Sequence, residues 1–232
     1  MFFERALATA PSNRLLIQTL WRQCQNNFGD EPEKYCKSSA QDYVASDPEN
    51  GIAWIAISEY LYEQGDSEAA LDRLRRAVAA PMLDVGWVDQ ISEFTKALDE
   101  TVPEMRPCAT FSAGSISVVP PLAGLTSMCR AEYEDSDWRA ACLAVGEALE
   151  HRTRTLYPIR LGIALQEIIY ELDGDTEGLE AARERKQALI DSMEQYSETE
   201  LEILESRASQ DEWLRKLKAL GEIGVLQGRT AP

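Results

Sequence analysis

The segment from Asp47 to Pro81, DPENGIAWIAISEYLYEQGDSEAALDRLRRAVAAP, constrains the fold more than any other part of the sequence. Residues that start or end helices stand at its beginning, at its centre in Gly65-Asp66, and at its end. Between these points, apolar and small side chains recur at helical spacing. They are Trp54, Ile57 and Leu61 before the central turn, and Ala70, Leu74 and Ala77 after it. The pattern predicts two short antiparallel helices that pack through these two stripes.

Position for position, the same segment resembles a tetratricopeptide (TPR) repeat. Trp54 then takes repeat position four, while Ser58 and Ala70 take positions eight and twenty. Small residues at positions eight and twenty let the two helices of a repeat approach closely. The resemblance implies an all-α fold of antiparallel helix-hairpin repeats, a TPR-like α-solenoid.

Degenerate repeats are expected on both sides of this one. A step back of about 34 residues gives a repeat over 17–50, with Cys24 and Cys36 at the two small positions. A third repeat is expected to begin near Pro121, with Cys129 at position eight and, if its loop is one residue longer, Cys142 at position twenty. Its turn is expected at Asp137-Trp138. A fourth helical pair is expected from about Ile159 to Met193, around a turn at 173–175.

The chain therefore divides into N-terminal repeats over 12–102 and C-terminal repeats with a capping helix over 121–228. Residues 103–120 are rich in Pro, Gly, Ser and Thr, which predicts a linker or a poor helix. A capping box at 197–200 predicts the start of the last helix. That helix carries an apolar stripe of Leu201, Leu204, Ala208, Leu214, Leu217 and Leu220. The stripe is expected to pack on the last repeat, and a coiled-coil seam of an oligomeric spacer is the alternative.

Four of the five cysteines form two pairs with nearly equal spacing, Cys24–Cys36 and Cys129–Cys142. Close-packed small positions can supply the Cα separation that a disulfide needs. Cysteine can also fill such a position simply as a small apolar residue. Because the pattern occurs twice, we predict two disulfides, which leaves Cys108 unpaired in the linker. Disulfides indicate an oxidising compartment, so a periplasmic or secreted location is expected, with a cytoplasmic one as the alternative.

The net charge of −17, from 23 Lys and Arg against 40 Asp and Glu, argues against binding to nucleic acid or to an anionic membrane. It favours solubility and a basic partner. No stretch has the roughly 18 apolar residues of a membrane span. The first residues, Met1-Phe-Phe-Glu-Arg, lack the layout of a signal peptide, so export would require a leader that this chain does not show.

Beyond the single repeat, the chain over about Asn13 to Leu172 resembles a group of uncharacterised, exported bacterial TPR-like proteins. The shared residues are a Cys pair, the segment DPENGIAWIAISEYLYEQGD, the small-residue stretch ATFSAGSIS, LTSMCR, WRAAC and LAVGEAL. The resemblance implies export and a helical-repeat fold, and it implies no activity.

Catalytic arrangements are not evident in the sequence. A Ser-His-Asp or Cys-His mechanism would depend on His151, the single histidine, whose place near a predicted helix end fits a solvated or capping role. The glycines of the linker match no nucleotide-binding fingerprint, and no cysteine spacing fits a zinc site. We therefore expect a non-enzymatic protein without cofactor or metal. An enzyme using a perturbed carboxylate or Cys108 as nucleophile is the alternative.

A binding role is predicted from the geometry of TPR repeats, in which four positions of the first helix line a concave groove. Mapped onto this chain, the groove supplies the residues expected to contact a protein or peptide partner. They are Trp21, Gln25, Phe28, Ile55, Glu59, Tyr62 and Tyr133. Tryptophan and tyrosine are common anchors of interfaces. The competing interpretation is that these aromatic side chains pack against the neighbouring helix.

Overall fold

A computed structural model describes residues 13–25, 41–101, 122–203 and 206–228 of the chain. Throughout these residues the regular structure is helical, and extended pairing is limited to one isolated bridge between Asn50 and Met82. The all-α prediction is confirmed. The predicted linker at 103–120 and the cysteines Cys36 and Cys108 lie outside the described residues.

The helices follow one another in short steps, and a further helical segment covers 41–46. Their bounds are α1 Arg14–Gln25, α2 Gly51–Glu63, α3 Ser67–Ala79, α4 Trp87–Thr101, α5 Ala123–Ala131, α6 Ser136–Arg152, α7 Leu156–Asp173, α8 Thr176–Ile203 and α9 Arg207–Leu226. Helices α2 and α3 form one packed hairpin, and α6, α7 and α8 pack in succession. Across the hairpins, α5 lies on α2 and α6 lies on α3.

The α2–α3 hairpin forms where the sequence predicts it. The side chain of Asn50 caps α2 by accepting from Ile52 N, and the side chain of Asp66 caps α3 by accepting from Ala69 N. Gly65 provides the turn with a positive φ of 82°. The two small positions touch directly, since Ser58 Oγ donates to the Ala70 carbonyl at 2.7 Å. This contact sets the close approach of the two helices.

The buried face of α2 differs from the predicted stripe. Trp54, Ile57 and Leu61 are half-buried, whereas Ile52 and Ile55 are fully buried. Trp54 and Leu61 still pack against the main core, and the ring of Trp54 also lies beside the guanidinium groups of Arg73 and Arg76, at 5.7 and 5.3 Å from its centroid. A tryptophan next to two cations from the following helix gains cation–π attraction at the surface.

The second hairpin joins α5 to α6 and carries a disulfide. Cys129 and Cys142 are bonded, with their Cα atoms 5.8 Å apart, so this predicted pair is confirmed. The turn lies earlier than expected, because Asp135 caps α6 by accepting from Asp137 N and Trp138 N. Asp137 and Trp138 are therefore in the first turn of α6. The next hairpin, α7–α8, turns at Gly174 as predicted, with φ of 70°.

One apolar core runs through both predicted halves of the chain. It includes Leu74 and Ile91 from the N-terminal part, and Leu125, Leu149 and Leu217 from the C-terminal part. A second cluster joins Ile17, Trp21 and Tyr43 to the outer face of α2 at Ala53 and Ala56. The helical halves are thus packed through a shared interior.

The end of the chain is built differently from the prediction. Residues 197–200 lie inside the long helix α8 and do not begin a helix, and Ser206 caps α9 instead, accepting from Ser209 N. Within the predicted stripe, Leu217 is buried in the main core and Leu214 packs against it, while Ala208 is exposed. The side chains of residues 201 and 204 lie outside the described part. Two residues of the stripe, Leu214 and Leu217, thus pack on the chain's own core.

A kink seats α9 against the junction of α6 and α7. Gly221 has φ of 71° and ψ of 175°, and an added Cβ would lie 2.9 Å from the Arg154 carbonyl oxygen. The next residue, Glu222, makes two hydrogen bonds to this junction. Its backbone N donates to Arg154 O at 2.8 Å, and its carboxylate accepts from Leu156 N at 2.8 Å. Because Thr155 makes no side-chain capping bond, Glu222 serves as the cap of α7.

A buried polar network holds α1 against the start of α4. Gln18 Nε2 donates to the Tyr43 hydroxyl at 3.1 Å and to the Val85 carbonyl at 2.7 Å. Tyr43 is fully buried, and its burial, with the nearby Asp47 carboxylate, raises the pKa of its phenol. Asn50 joins the same region by donating to Asp47 and to the Asp84 carbonyl. Buried polar groups here are therefore satisfied by specific partners.

Candidate functional site

Three of the residues predicted to face a partner lie in the interior. Trp21 is 2% exposed and packs edge-to-face on Tyr60, with ring centroids 5.9 Å apart. Its indole nitrogen is buried and has no hydrogen-bond partner among the described residues. Ile55 is fully buried in the main core. The expectation that these side chains line an open groove is corrected, because other helices of the same chain cover them.

Glu59 is the third interior residue, and its role is structural. It is 2% exposed, and its Oε1 accepts a hydrogen bond from Leu125 N at 2.7 Å. A carboxylate at the first turn of a helix satisfies an otherwise orphan N–H and interacts favourably with the helix dipole. Glu59 of α2 thus caps α5 across the hairpins. The sequence gives no local signal for this contact.

Two other predicted residues, Phe28 and Gln25, have side chains outside the described part of the chain. Phe28 lies outside the described residues, and for Gln25 only the backbone, at the end of α1, is described. In the Cys24–Cys36 pair, the side chain of Cys24 and the whole of Cys36 also lie outside the described part. That second disulfide stays a prediction.

Tyr62 and Tyr133 are the predicted residues that remain accessible, and the structure brings them to one place. Tyr62, at the end of α2, packs edge-to-face on Trp138 with centroids 5.7 Å apart. Its burial and a hydrogen bond to Glu132 raise the pKa of its phenol. Tyr133, the residue after Glu132, donates to Asp173 Oδ1 at 2.6 Å and lies beneath the Arg139 guanidinium at 5.2 Å. The hydrogen bond to Asp173 raises the pKa of Tyr133.

These contacts define a surface that we call the turn edge, formed by the α2–α3, α5–α6 and α7–α8 turns. Tyr62 links the first turn to the second, and Tyr133 links the second to the third. The turn edge is strongly acidic and mostly exposed. Its carboxylates are Glu63, Asp66, Glu132, Glu134, Asp135, Asp137, Asp173 and Asp175. Two of them are paired with arginine, in Arg75–Asp137 at 2.9 Å and Arg139–Asp173 at 3.7 Å.

The only histidine lies in the last turn of α6, beside a second polar cluster. Glu150 accepts from Gln166 Nε2 at 2.6 Å and from Arg185 Nε at 2.7 Å, which ties α6, α7 and α8 together. His151 borders a small cavity of about 300 Å³ next to this cluster. Over the described ranges, no group of three or more His, Cys, Asp or Glu side chains is arranged to hold a metal ion. None of the described helices has the length and apolar character needed to cross a membrane.

Comparison with known proteins gives no assignment. No protein-family model matches the chain, no curated protein matches it, and no solved structure is significantly similar to it.

Proposed function

We propose that this protein is a non-catalytic binding module, built from TPR-type helix hairpins, that acts in the periplasm or outside the cell. The hairpin pattern supports the repeat assignment. Ser58 and Ala70 in α2–α3, and Cys129 and Cys142 in α5–α6, occupy matching positions and are in contact in both hairpins. The disulfide supports an oxidising compartment, because such bonds rarely persist in the cytosol.

The observation that carries the proposed binding role is the turn edge, where accessible tyrosines stand among carboxylates. Tyrosine offers a rigid apolar ring with a polar tip, which suits an interface. The surrounding carboxylates, on a chain of net charge −17, attract a positively charged surface and speed its approach. The partner that fits this surface is a basic protein or peptide segment.

Charge reversal on the turn edge tests this role. The variant Glu63→Lys/Glu134→Lys alters two exposed carboxylates of the edge, and Glu93→Lys/Glu100→Lys makes the same change of charge on exposed residues of α4. Affinity capture with each protein from a periplasmic or secreted fraction, followed by mass spectrometry, should yield a basic protein that the edge variant loses and the α4 variant keeps. Direct binding of that protein should weaken as salt rises. Equal capture by both variants would refute the turn edge as the binding surface.

A further inference from the structure

A cleft on another part of the surface has features of a small-molecule site. It lies where the 81–84 loop, the start of α4, the α6–α7 junction and α9 meet, and its volume is about 440 Å³. Pockets that enclose small ligands fall in this range of size. The cleft shares no residue with the turn edge, so a ligand bound in it would occupy a site separate from the proposed partner surface.

Two cations line the cleft without an anionic partner. Arg154 and Lys218 are both exposed, and neither forms an ion pair within the described parts of the chain. Many other arginines are engaged, for example Arg185 with Glu150 and Arg14 with Asp89. In a protein with this excess of carboxylates, two unpaired cations at one cleft form a local site for an anion.

Thr155, the residue after Arg154, adds a polar group to the lining of the cleft. It is 7% exposed and lines the same cleft, yet its hydroxyl neither caps α7 nor bonds to any described residue. The hydroxyl oxygen is not one of the fully buried side-chain atoms without a partner, so it keeps accessible surface at the cleft and can donate a hydrogen bond to a ligand there. The neighbouring Arg152 is not available for this purpose, because its guanidinium donates to the Val78 and Ala80 carbonyls.

The other walls of the cleft restrict the charge and polarity of the ligand. Asp84 and Asp89 also border it, and Asp89 is paired with Arg14. Removing a dianion such as phosphate from water costs more than removing a monoanion, which favours a group with a single negative charge beside the apolar wall. Leu83, Val88 and Leu217 provide an apolar wall. We propose that this cleft binds a small monocarboxylate with an apolar side group, its carboxylate held by Arg154, Lys218 and the Thr155 hydroxyl.

Titration calorimetry of the full chain with N-acetyl-leucine tests the proposal, with N-acetyl-leucinamide and inorganic phosphate as comparison ligands. The free acid should bind, and the amide should bind at least about tenfold more weakly, as expected for losing a charged hydrogen bond. Equal binding of acid and amide, or tighter binding of phosphate, would overturn the assignment. An N-acetylated tetrapeptide ending in leucine distinguishes two sources of the carboxylate, a small free acid and the C-terminus of a peptide chain. A peptide that binds as tightly as the small acid shows that a chain terminus also fits, and exclusion of the peptide shows a site for free acids.

Matched variants locate the binding. Arg154→Gln/Lys218→Gln should weaken binding of N-acetyl-leucine about tenfold or more. Arg183→Gln/Lys96→Gln, which removes two exposed cations from α8 and α4, should change it less than about twofold. The single substitution Thr155→Val provides a second measurement if the double variant loses helicity, and amide shifts should map to 152–156 and 217–222. Unchanged affinity in the cleft variants, or shifts confined to other residues, would refute the site.

Discussion

The carboxylate oxygen Oε1 of Glu59, on α2, lies 2.7 Å from the backbone nitrogen of Leu125, in the first turn of α5. Glu59 is 2% exposed, so this bond lies in the interior between the two hairpins. A hydrogen bond in such surroundings is stronger than the same bond in water. The contact therefore fixes how α5 sits on α2.

Removing this carboxylate should destabilise the fold. Glu59→Ala leaves the Leu125 N–H without its acceptor, and we expect a loss of about 1–3 kcal/mol in the free energy of unfolding. Glu59→Gln retains an acceptor oxygen and should lower the free energy of unfolding by less than Glu59→Ala does. Urea denaturation followed by circular dichroism measures both. Glu63→Ala, one turn further along α2 and exposed, is the control and should change stability by less than about 0.5 kcal/mol. A loss as small for Glu59→Ala as for the control would contradict the capping role.

The Cys129–Cys142 bond should stabilise the native chain through the loop that it closes, whose ends are 13 positions apart. The loop entropy predicts a loss of about 3 kcal/mol for Cys129→Ala/Cys142→Ala. A second variant, Cys129→Ser/Cys142→Ala, copies the Ser58–Ala70 pair of the preceding hairpin and should recover about 1 kcal/mol through a hydroxyl-to-carbonyl bond. Thermal melts of the three proteins compare them. Identical stability of the two variants would show that the two hairpins are not equivalent at these positions.

Substitution of Gly221 should release α9 from the α6–α7 junction. Its φ and ψ combination is restricted to glycine, and a Cβ there would collide with Arg154. We expect Gly221→Ala to cost about 3 kcal/mol or more, with faster hydrogen exchange of the Glu222 and Leu156 amides. Gly65 also has a positive φ, of 82°, but no atom lies near an added Cβ, and Gly65→Ala should cost about 1 kcal/mol. Equal losses would mean that backbone conformation alone, and not the contact with Arg154, accounts for the effect.

Tyr43 should make stability depend on pH in the alkaline range. Its folded-state pKa is raised above the ordinary value of 10.0, so folding favours the neutral phenol. The stability contributed by the neutral phenol is complete below pH 10 and is lost above it, at up to about 1.4 kcal/mol per pH unit. Tyr43→Phe should make this part of the profile less steep without removing the slope, because the pKa values of Tyr62 and Tyr133 are also raised. Urea midpoints between pH 8 and 11 provide the test, and a profile unaltered by Tyr43→Phe would exclude this residue as its source.

The hairpins could be predicted from sequence because their signals are local. Asn50, Asp66 and Gly174 each act on backbone groups within a few residues, so helix ends follow from the residues beside them. The Cys129–Cys142 pair was recognisable for the same reason, since both residues belong to one hairpin. The capping box at 197–200 misled the prediction because α8 continues through it. Continuation of a helix depends on its packing as well as on capping propensity.

The candidate surface was predicted less well, because exposure depends on contacts between distant elements. The prediction that the groove positions of a TPR helix contact a partner depends on the inner face of α2 being open to solvent. Here α5 covers that face and takes Glu59 as its cap, so Ile55 and Glu59 are interior residues. The cleft at Arg154 and Lys218 was missed because the two residues come from the α6–α7 junction and from α9. The kink at Gly221, which packs against Arg154 in the same cleft, has no recognisable sequence pattern.

Leu74 and Ile91, before the 102–121 segment, share one core with Leu125 and Leu149, after it. The two parts of the chain should therefore stay together even when the segment between them is cut. Peptide-bond cleavage between 102 and 121 would separate the covalent chain while leaving both fragments attached through a shared apolar interface. Expressed separately, each fragment would expose half of that interface, and mixing them should restore one helical particle. We therefore expect the two fragments, once associated, to unfold in a single transition.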